Sequence, residues 1–191
     1  MKMDRDLSSY VVVLENWLDP EACKQTVKEL EVAPWQQHTF YDSVTGTYST
    51  QSGSRELDIS YANNVSTKGY ISQRVWDALR AYHDHFKFTW FASWAGFSEV
   101  RFNMYKETRV MANHCDHIHS MFDGERKGIP TLTVLSMLND QYTGGEFVMW
   151  NDEVIPLAAG STIVFPSCFL YPHRVDPVLS GTRYSCVSWA Y

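Results

Sequence analysis

The second half of the chain is a series of short apolar segments cut by turn residues, and no other feature constrains the fold as tightly. Residues 100–105 alternate, with Val100, Phe102 and Met104 on one face and Arg101, Asn103 and Tyr105 on the other. Further strands are expected at residues 131–138, 146–150, 154–157, 161–165 and 183–190, and on two segments around His114 and His173. The breaks between them carry Gly144-Gly145, Asn151-Asp152, Gly160, Asp176-Pro177 and Ser180-Gly181. Many short strands at close spacing pack as a sandwich or an open barrel. The expected class is mainly β (α+β), with a double-stranded β-helix (jelly-roll, cupin-like) core.

The first half reads differently. Residues 10–14, Tyr-Val-Val-Val-Leu, have the composition of a buried strand. Asp19-Pro20-Glu21 then reads as a helix start, with Asp as cap, Pro at the first helical position and Glu in the first turn. This helix is expected to end near residue 32, before Pro34. A second helix is expected over 68–86, where Ile71, Val75, Ala78, Leu79, Tyr82 and Phe86 recur on one stripe. His83 and His85 fall near its end, as surface or capping residues. Short strands are expected near 35–41 and 57–61. The polar run 42–55 between them reads as a loop, either a surface connector or a substrate lid. The 191-residue chain is thus expected to be one domain, with 1–95 as helical support and lid and 96–191 as the β core.

The chemistry centres on His114-Cys115-Asp116. On an extended strand, residues i and i+2 share a face, so His114 and Asp116 can grip one metal ion, while Cys115 points away. His173 is the candidate third ligand. Two His and one carboxylate leave three adjacent positions of an octahedral metal open, which suits a non-haem Fe(II) centre. A zinc site is the competing reading, but four-coordinate zinc needs no partner arginine. Arg183 lies ten residues beyond His173, and the turn residues between them suggest neighbouring antiparallel strands. An arginine in an apolar strand needs a partner, since an unpaired buried charge is costly. That partner is either a protein carboxylate or a bound dicarboxylate such as 2-oxoglutarate, which a guanidinium can take through two parallel hydrogen bonds. His117 and His119 also have ligand-like spacing, but on a strand His117 faces away from His114 and Asp116, which favours a rim role. The charged stretch 120–129 reads as a loop.

Composition narrows the remaining choices. An apolar share of 45% and an aromatic share of 15% fit a folded, aromatic-rich chain. The net charge of −6 argues against a nucleic-acid partner held by phosphate attraction. Cys23, Cys115, Cys168 and Cys186 show no CxxC spacing and read as reduced thiols. The apolar run at 10–14 is too short for a signal peptide, and no stretch approaches membrane-spanning length, so a cytoplasmic location is the default.

The ordered pattern Tyr105-x8-His114-x-Asp116, Gly144-Gly145-Glu146-Phe147, Gly160-Ser161 and Pro172-His173-Arg174-Val175-x-Pro177-Val178-x-x-Gly181-x-Arg183-Tyr184 resembles the prolyl-4-hydroxylase-type 2-oxoglutarate/Fe(II) dioxygenases. The stretch from Leu14 to Cys23 is similar to the entry segment of that family. Each motif is weak alone; their order and spacing make the resemblance specific. It implies Fe(II) held by His114, Asp116 and His173, which with Arg183 form the catalytic set. It implies 2-oxoglutarate held by Arg183 and Tyr105, with Trp189 either a wall of the iron pocket or a core aromatic; Asn103, on the face of Tyr105, and Thr133, on the face of Met137, are further candidate contacts. Ascorbate is a candidate reductant and dioxygen the second cosubstrate. The implied reaction hydroxylates a C–H bond of a prolyl residue in a protein or peptide. Related barrels also act on free amino acids and other small molecules, and a non-catalytic binding module could keep the barrel alone. One departure stands out: the hypoxia-type prolyl hydroxylases place a Tyr where this chain has Met137, and a thioether cannot donate a hydrogen bond.

Overall fold

The computed structural model describes residues 6–42, 47–49, 55–61, 63, 65–87, 89–91, 94–116 and 130–191. Helix α1 (Pro20–Leu30) starts where its capping residues dictate. The Asp19 carboxylate accepts the Ala22 N–H at 2.9 Å, Pro20 brings a preset φ, and Glu21 offsets the positive end of the helix. The helix stops short of residue 32 because the Leu30 carbonyl is taken by the Ala33 N–H at 3.2 Å and by the Trp35 indole at 2.9 Å. Helix α2 (Lys68–Phe86) has the expected bounds and buries Ile71, Val75, Ala78, Leu79 and Tyr82. Lys87, in the left-handed region at φ 52°, closes it by donating its N–H to the His83 carbonyl. His83 and His85 lie in the last turn.

Tyr10 does not begin a strand as expected. Residues 7–10 form a 3-10 turn whose first N–H groups are capped by the Asp6 carboxylate, at 3.3 Å from the Ser8 N–H. The strands follow in order as β1 (Val12–Leu14), β2 (Gln36–Gln37), β3 (Phe40–Asp42), β4 (Thr47–Ser49) and β5 (Asp58–Ser60). The second half contributes β6 (Arg101–Tyr105), β7 (Met111–His114), β8 (Leu132–Met137), β9 (Tyr142–Gly144) and β10 (Phe147–Met149). It ends with β11 (Glu153–Ile155), β12 (Thr162–Pro166), β13 (His173–Val175), β14 (Val178–Gly181) and β15 (Arg183–Ala190). The expected lid lies mostly outside the described residues, as do His117, His119 and the charged loop 120–129.

A seven-stranded sheet has the order β1-β12-β8-β15-β6-β5-β2, and a four-stranded sheet has the order β11-β10-β13-β7. Their pairings are antiparallel, which with few helices makes the chain a mainly β protein of jelly-roll type. Alternation along each strand sorts side chains into two layers. On β6, β8 and β15, Phe102, Met104, Leu132, Val134, Tyr184, Cys186 and Ala190 join the helix residues Leu30, Ile71, Val75 and Leu79 in one cluster. Tyr105, Leu135, Met137 and Val187 fall instead in a second cluster with Met111, Phe147, Met149 and Val175 of the smaller sheet. The helices therefore back the large sheet, and α2 packs on β8 and β12. The inner layer between the sheets holds the polar residues discussed next.

Two placements differ from expectation. Asp116 is not on the strand with His114: β7 ends at His114 and the chain bends at Asp116. His173 and Arg183 are not on neighbouring strands, since β13 belongs to the small sheet and β15 to the large one. Between them β14 pairs with β9, so the two turn signals mark two separate turns. The crossing needs Gly181, whose φ is 80° and where an added Cβ would meet the Gln141 carbonyl oxygen at 2.7 Å. Cys23, Cys115, Cys168 and Cys186 are free thiols. Among the described residues no helix is long and apolar enough to cross a membrane.

Candidate active site

His114, at the end of β7, faces His173, at the start of β13, as a registered antiparallel pair. That pairing sets their rings 4.3 Å apart, centroid to centroid. The bend after β7 carries Asp116 back toward both, with Oδ1 at 3.3 Å from His114 Nε2 and 3.8 Å from His173 Nε2. One donor atom from each residue lies within 4.8 Å of the others, close enough to hold one metal ion. Both imidazoles are oriented through their other nitrogen. His114 Nδ1 bonds the Ala112 carbonyl at 2.8 Å, and His173 Nδ1 bonds the Tyr171 carbonyl at 3.1 Å. This turns both Nε2 atoms to Asp116 and fixes the tautomer that a metal would need. Asp116 Oδ2 is occupied separately: it accepts the Thr133 hydroxyl at 2.6 Å, and Thr133 meets the Ser167 hydroxyl at 2.8 Å. Cys115 points away, with Sγ 3.5 Å from the Phe169 carbonyl.

Burial and charge pull against each other here. Burial would raise the Asp116 carboxyl, but His173, His114 and Thr133 together hold it well below the usual carboxylate range. Burial also opposes charge on both imidazoles. At His114 the Asp116 contact reverses the balance and the net direction is up; at His173 burial wins and the direction is down. A divalent cation would supply the positive charge that the Asp116 carboxylate favours beside it.

Arg183 is 1% exposed. Its guanidinium donates to Ser185 Oγ at 3.2 Å, touches Met137 Sδ at 3.2 Å and stacks 4.8 Å over the Tyr105 ring. Its Nε has no hydrogen-bond partner and no carboxylate pairs with it among the described residues. Tyr105 sits directly opposite, as the registered partner of Arg183 on β6. Gly145 leaves room for the arginine stem: an added Cβ would meet Arg183 Cδ at 3.1 Å. Arg183 lines a cavity with Met137 and Gly145, and Tyr105 lines the adjoining one with the His–Asp–His cluster.

The remaining expected pocket residues take defined places. Asn103 is buried and its Oδ1 accepts the Arg101 Nε–H at 3.1 Å. Thr133, expected beside a cosubstrate, contacts Asp116; it lies four residues along β8 from Met137. Trp189 lines the metal-side cavity, and its indole N–H is buried without an acceptor among the described residues. Arg101 was not singled out from sequence, yet its guanidinium lies 4.8 Å over the Trp189 ring in that same cavity. The signal was present: it shares the alternating face of Asn103 and Tyr105.

Residues 100–191 match the model of the 2OG-Fe(II) oxygenase superfamily. A PKHD-type hydroxylase of Delftia acidovorans is 36% identical over 98 residues, covering 48% of this chain and 42% of the relative. One from Shewanella baltica is 32% identical over 123 residues, covering 62% of this chain and 53% of the relative. The chain therefore spans about half the length of these curated relatives. Among solved structures, a prolyl hydroxylase of Trichoplax adhaerens in complex with a hypoxia inducible factor peptide fragment superposes with a TM-score of 0.72 at 16% identity, over 95% of this chain and 83% of that one. The viral collagen prolyl hydroxylase of Paramecium Bursaria Chlorella virus-1, in a 2OG complex, gives a TM-score of 0.62 at 16% identity, over 95% and 94%. At that identity the structural likeness establishes the jelly-roll fold.

Proposed function

We propose that the chain, whose residues 100–191 match the model of the 2OG-Fe(II) oxygenase superfamily, is a 2-oxoglutarate- and Fe(II)-dependent hydroxylase of prolyl residues in a protein or peptide. The observation that carries the reading is a pairing. A His–Asp–His cluster built for one divalent ion lies on one side of Tyr105, and a buried arginine with no protein carboxylate among the described residues lies on the other. The donor set fits both absent groups. Two imidazoles and one carboxylate suit Fe(II), and the unused Arg183 Nε–H suits a carboxylate.

When bound, iron and 2-oxoglutarate would supply, with dioxygen as the oxidant, the hydroxylation of an unactivated C–H bond, one oxygen atom going to the substrate and the other to the succinate that leaves with carbon dioxide. The chain's own residues position and exclude. His114, Asp116 and His173 hold the metal. Thr133 orients the Asp116 carboxylate by occupying Oδ2. Arg183 and Tyr105 hold the distal carboxylate of the cosubstrate, while Met137 only accepts from Arg183 and contributes no donor. Phe147 and Leu135 of the inner layer keep water from the metal. Helix α2 backs β8 and β12 and so supports the core.

Two outcomes test these roles. Thr133→Val keeps the volume but frees Asp116, so Fe(II) affinity should fall roughly 10- to 100-fold while the 2-oxoglutarate requirement stays close to that of the parent chain. Metal titration read against 2-oxoglutarate titration separates the two effects. The substrate is tested by incubating the chain with Fe(II), 2-oxoglutarate, ascorbate, dioxygen and proline-containing peptides. One oxygen atom added to proline, matched by succinate release, is expected in the mass spectrum. The peptide reading is supported by the peptide complex of the Trichoplax relative. Succinate release coupled only to a free amino acid would overturn it.

A further inference from the structure

The cavity next to the metal cluster holds a second guanidinium. Arg101, Asn103 and Tyr105 share the inner face of β6. Register with β15 places Tyr105 opposite Arg183 and Arg101 opposite Val187. Arg101 therefore sits about 13 Å along the strand from the Tyr105–Arg183 end. The His–Asp–His cluster lines the same cavity as Arg101. If Arg183 holds the cosubstrate, Arg101 is at the opposite end of the inner face of β6.

Arg101 is held like a binding group rather than a surface cation. Its guanidinium stacks 4.8 Å over the Trp189 ring, and its Nε–H is fixed by Asn103 Oδ1 at 3.1 Å. Asn103 is 2% exposed, so the anchor itself is buried. The neutral Tyr61 hydroxyl also bonds it and the Asp116 carboxylate attracts it through space, but no carboxylate forms a salt bridge with Arg101 among the described residues. Burial pulls its guanidinium pKa down, which marks an undercompensated charge. Beside it, the Trp189 indole N–H is buried with no acceptor among the described residues. Two donors in one wall thus lack an anionic acceptor among the described residues. Charge counting over the described residues points the same way. Fe(II) and the two guanidiniums, set against Asp116 and a 2-oxoglutarate dianion, leave one positive charge, at Arg101.

We propose that Arg101 is the substrate-selecting residue of this site and takes a carboxylate carried by the substrate beside the C–H bond to be oxidised. This rests on the hydroxylase reading above. The carboxylate comes either from a free amino acid or from an acidic residue next to the target proline in a peptide. Trp189 supplies the stacking plane and a second donor.

The test uses the whole chain loaded anaerobically with Fe(II) and 2-oxoglutarate, read by the visible band of that chelate. L-proline is titrated against L-prolinamide, and an Ala-Pro-Glu-amide peptide against Ala-Pro-Gln-amide. The carboxylate member of at least one pair is expected to perturb the band at least tenfold more tightly than its amide; which pair responds identifies the source. Arg101→Gln should erase that preference without moving the 2-oxoglutarate titration more than about twofold, and Arg101→Lys should keep part of it. Should Arg101→Gln fail to fold, the acid–amide comparison in the parent chain and in Arg101→Lys decides alone. Equal binding of acid and amide, binding of neither in both pairs, or a preference that survives Arg101→Gln would overturn the proposal. If the parent chain forms no band at all, the hydroxylase reading fails first and this one with it.

Discussion

His173→Ala should abolish iron-dependent turnover while leaving the fold in place. The imidazole is 5% exposed and packs between Phe147 and Phe165, at centroid distances of 5.3 and 5.0 Å. Its Nε2 is one of three donor atoms in the cluster among the described residues, so removal leaves two of them for an ion that needs at least three from the protein. Disturbing groups that merely orient metal ligands costs about 10- to 100-fold in affinity, so losing a ligand should exceed roughly 100-fold. The cavity left behind costs on the order of 2–4 kcal/mol, which lowers Tm by about 4 to 15 °C for a chain of this size. Metal content after anaerobic loading and succinate formation are the readouts. A variant that retains stoichiometric iron and normal succinate formation would remove His173 from the metal set.

Arg183→Leu should separate stability from function. In the parent chain the guanidinium is almost fully buried, with a serine hydroxyl, a thioether and an aromatic face as partners and no carboxylate among the described residues. A buried charge so compensated is a burden to the ligand-free fold. Its replacement by leucine should leave Tm unchanged or raise it by a few degrees, about 1 kcal/mol. The same substitution removes the proposed anchor for the distal carboxylate, an expected loss of roughly 2–5 kcal/mol. The 2-oxoglutarate requirement should therefore rise on the order of 30- to 4,000-fold, with Fe(II) affinity retained. Thermal melts and 2-oxoglutarate titrations of one preparation give both numbers. A large fall in Tm together with an unchanged 2-oxoglutarate requirement would mean that Arg183 is a structural cation.

Much of the layering was legible because a strand has a period of two. The alternation at 100–105 already separated the helix-facing Phe102 and Met104 from the inner-face Arg101, Asn103 and Tyr105. The helices were legible for a different reason: Asp19-Pro20 and the stripe from Ile71 to Tyr82 encode their own ends and buried faces. What the pattern does not carry is where pairing stops or which sheet a strand joins. Asp116 looked like a strand neighbour of His114, but the ladder ends at the His114–His173 pair and the carboxylate arrives by a bend. His173 and Arg183 looked like hairpin neighbours, but β14 lies between them, and the positive φ at Gly181 lets the chain cross to the other sheet. Thr133 shares the face of Met137, and its position along the strand, set by pairing with β12 and β15, puts its hydroxyl on Asp116. Arg101 was visible as a letter and not as a site, because its meaning depends on Trp189 from another strand.

The most direct test of the central claim, that His114, Asp116, His173 and Arg183 form one site for Fe(II) and 2-oxoglutarate, is an anaerobic titration of the whole chain with both, followed in the visible range. A saturable charge-transfer band at one iron per chain is expected, absent in His173→Ala and displaced to much higher 2-oxoglutarate in Arg183→Leu. No band at saturating metal and cosubstrate, or a band indifferent to both substitutions, would contradict the assignment.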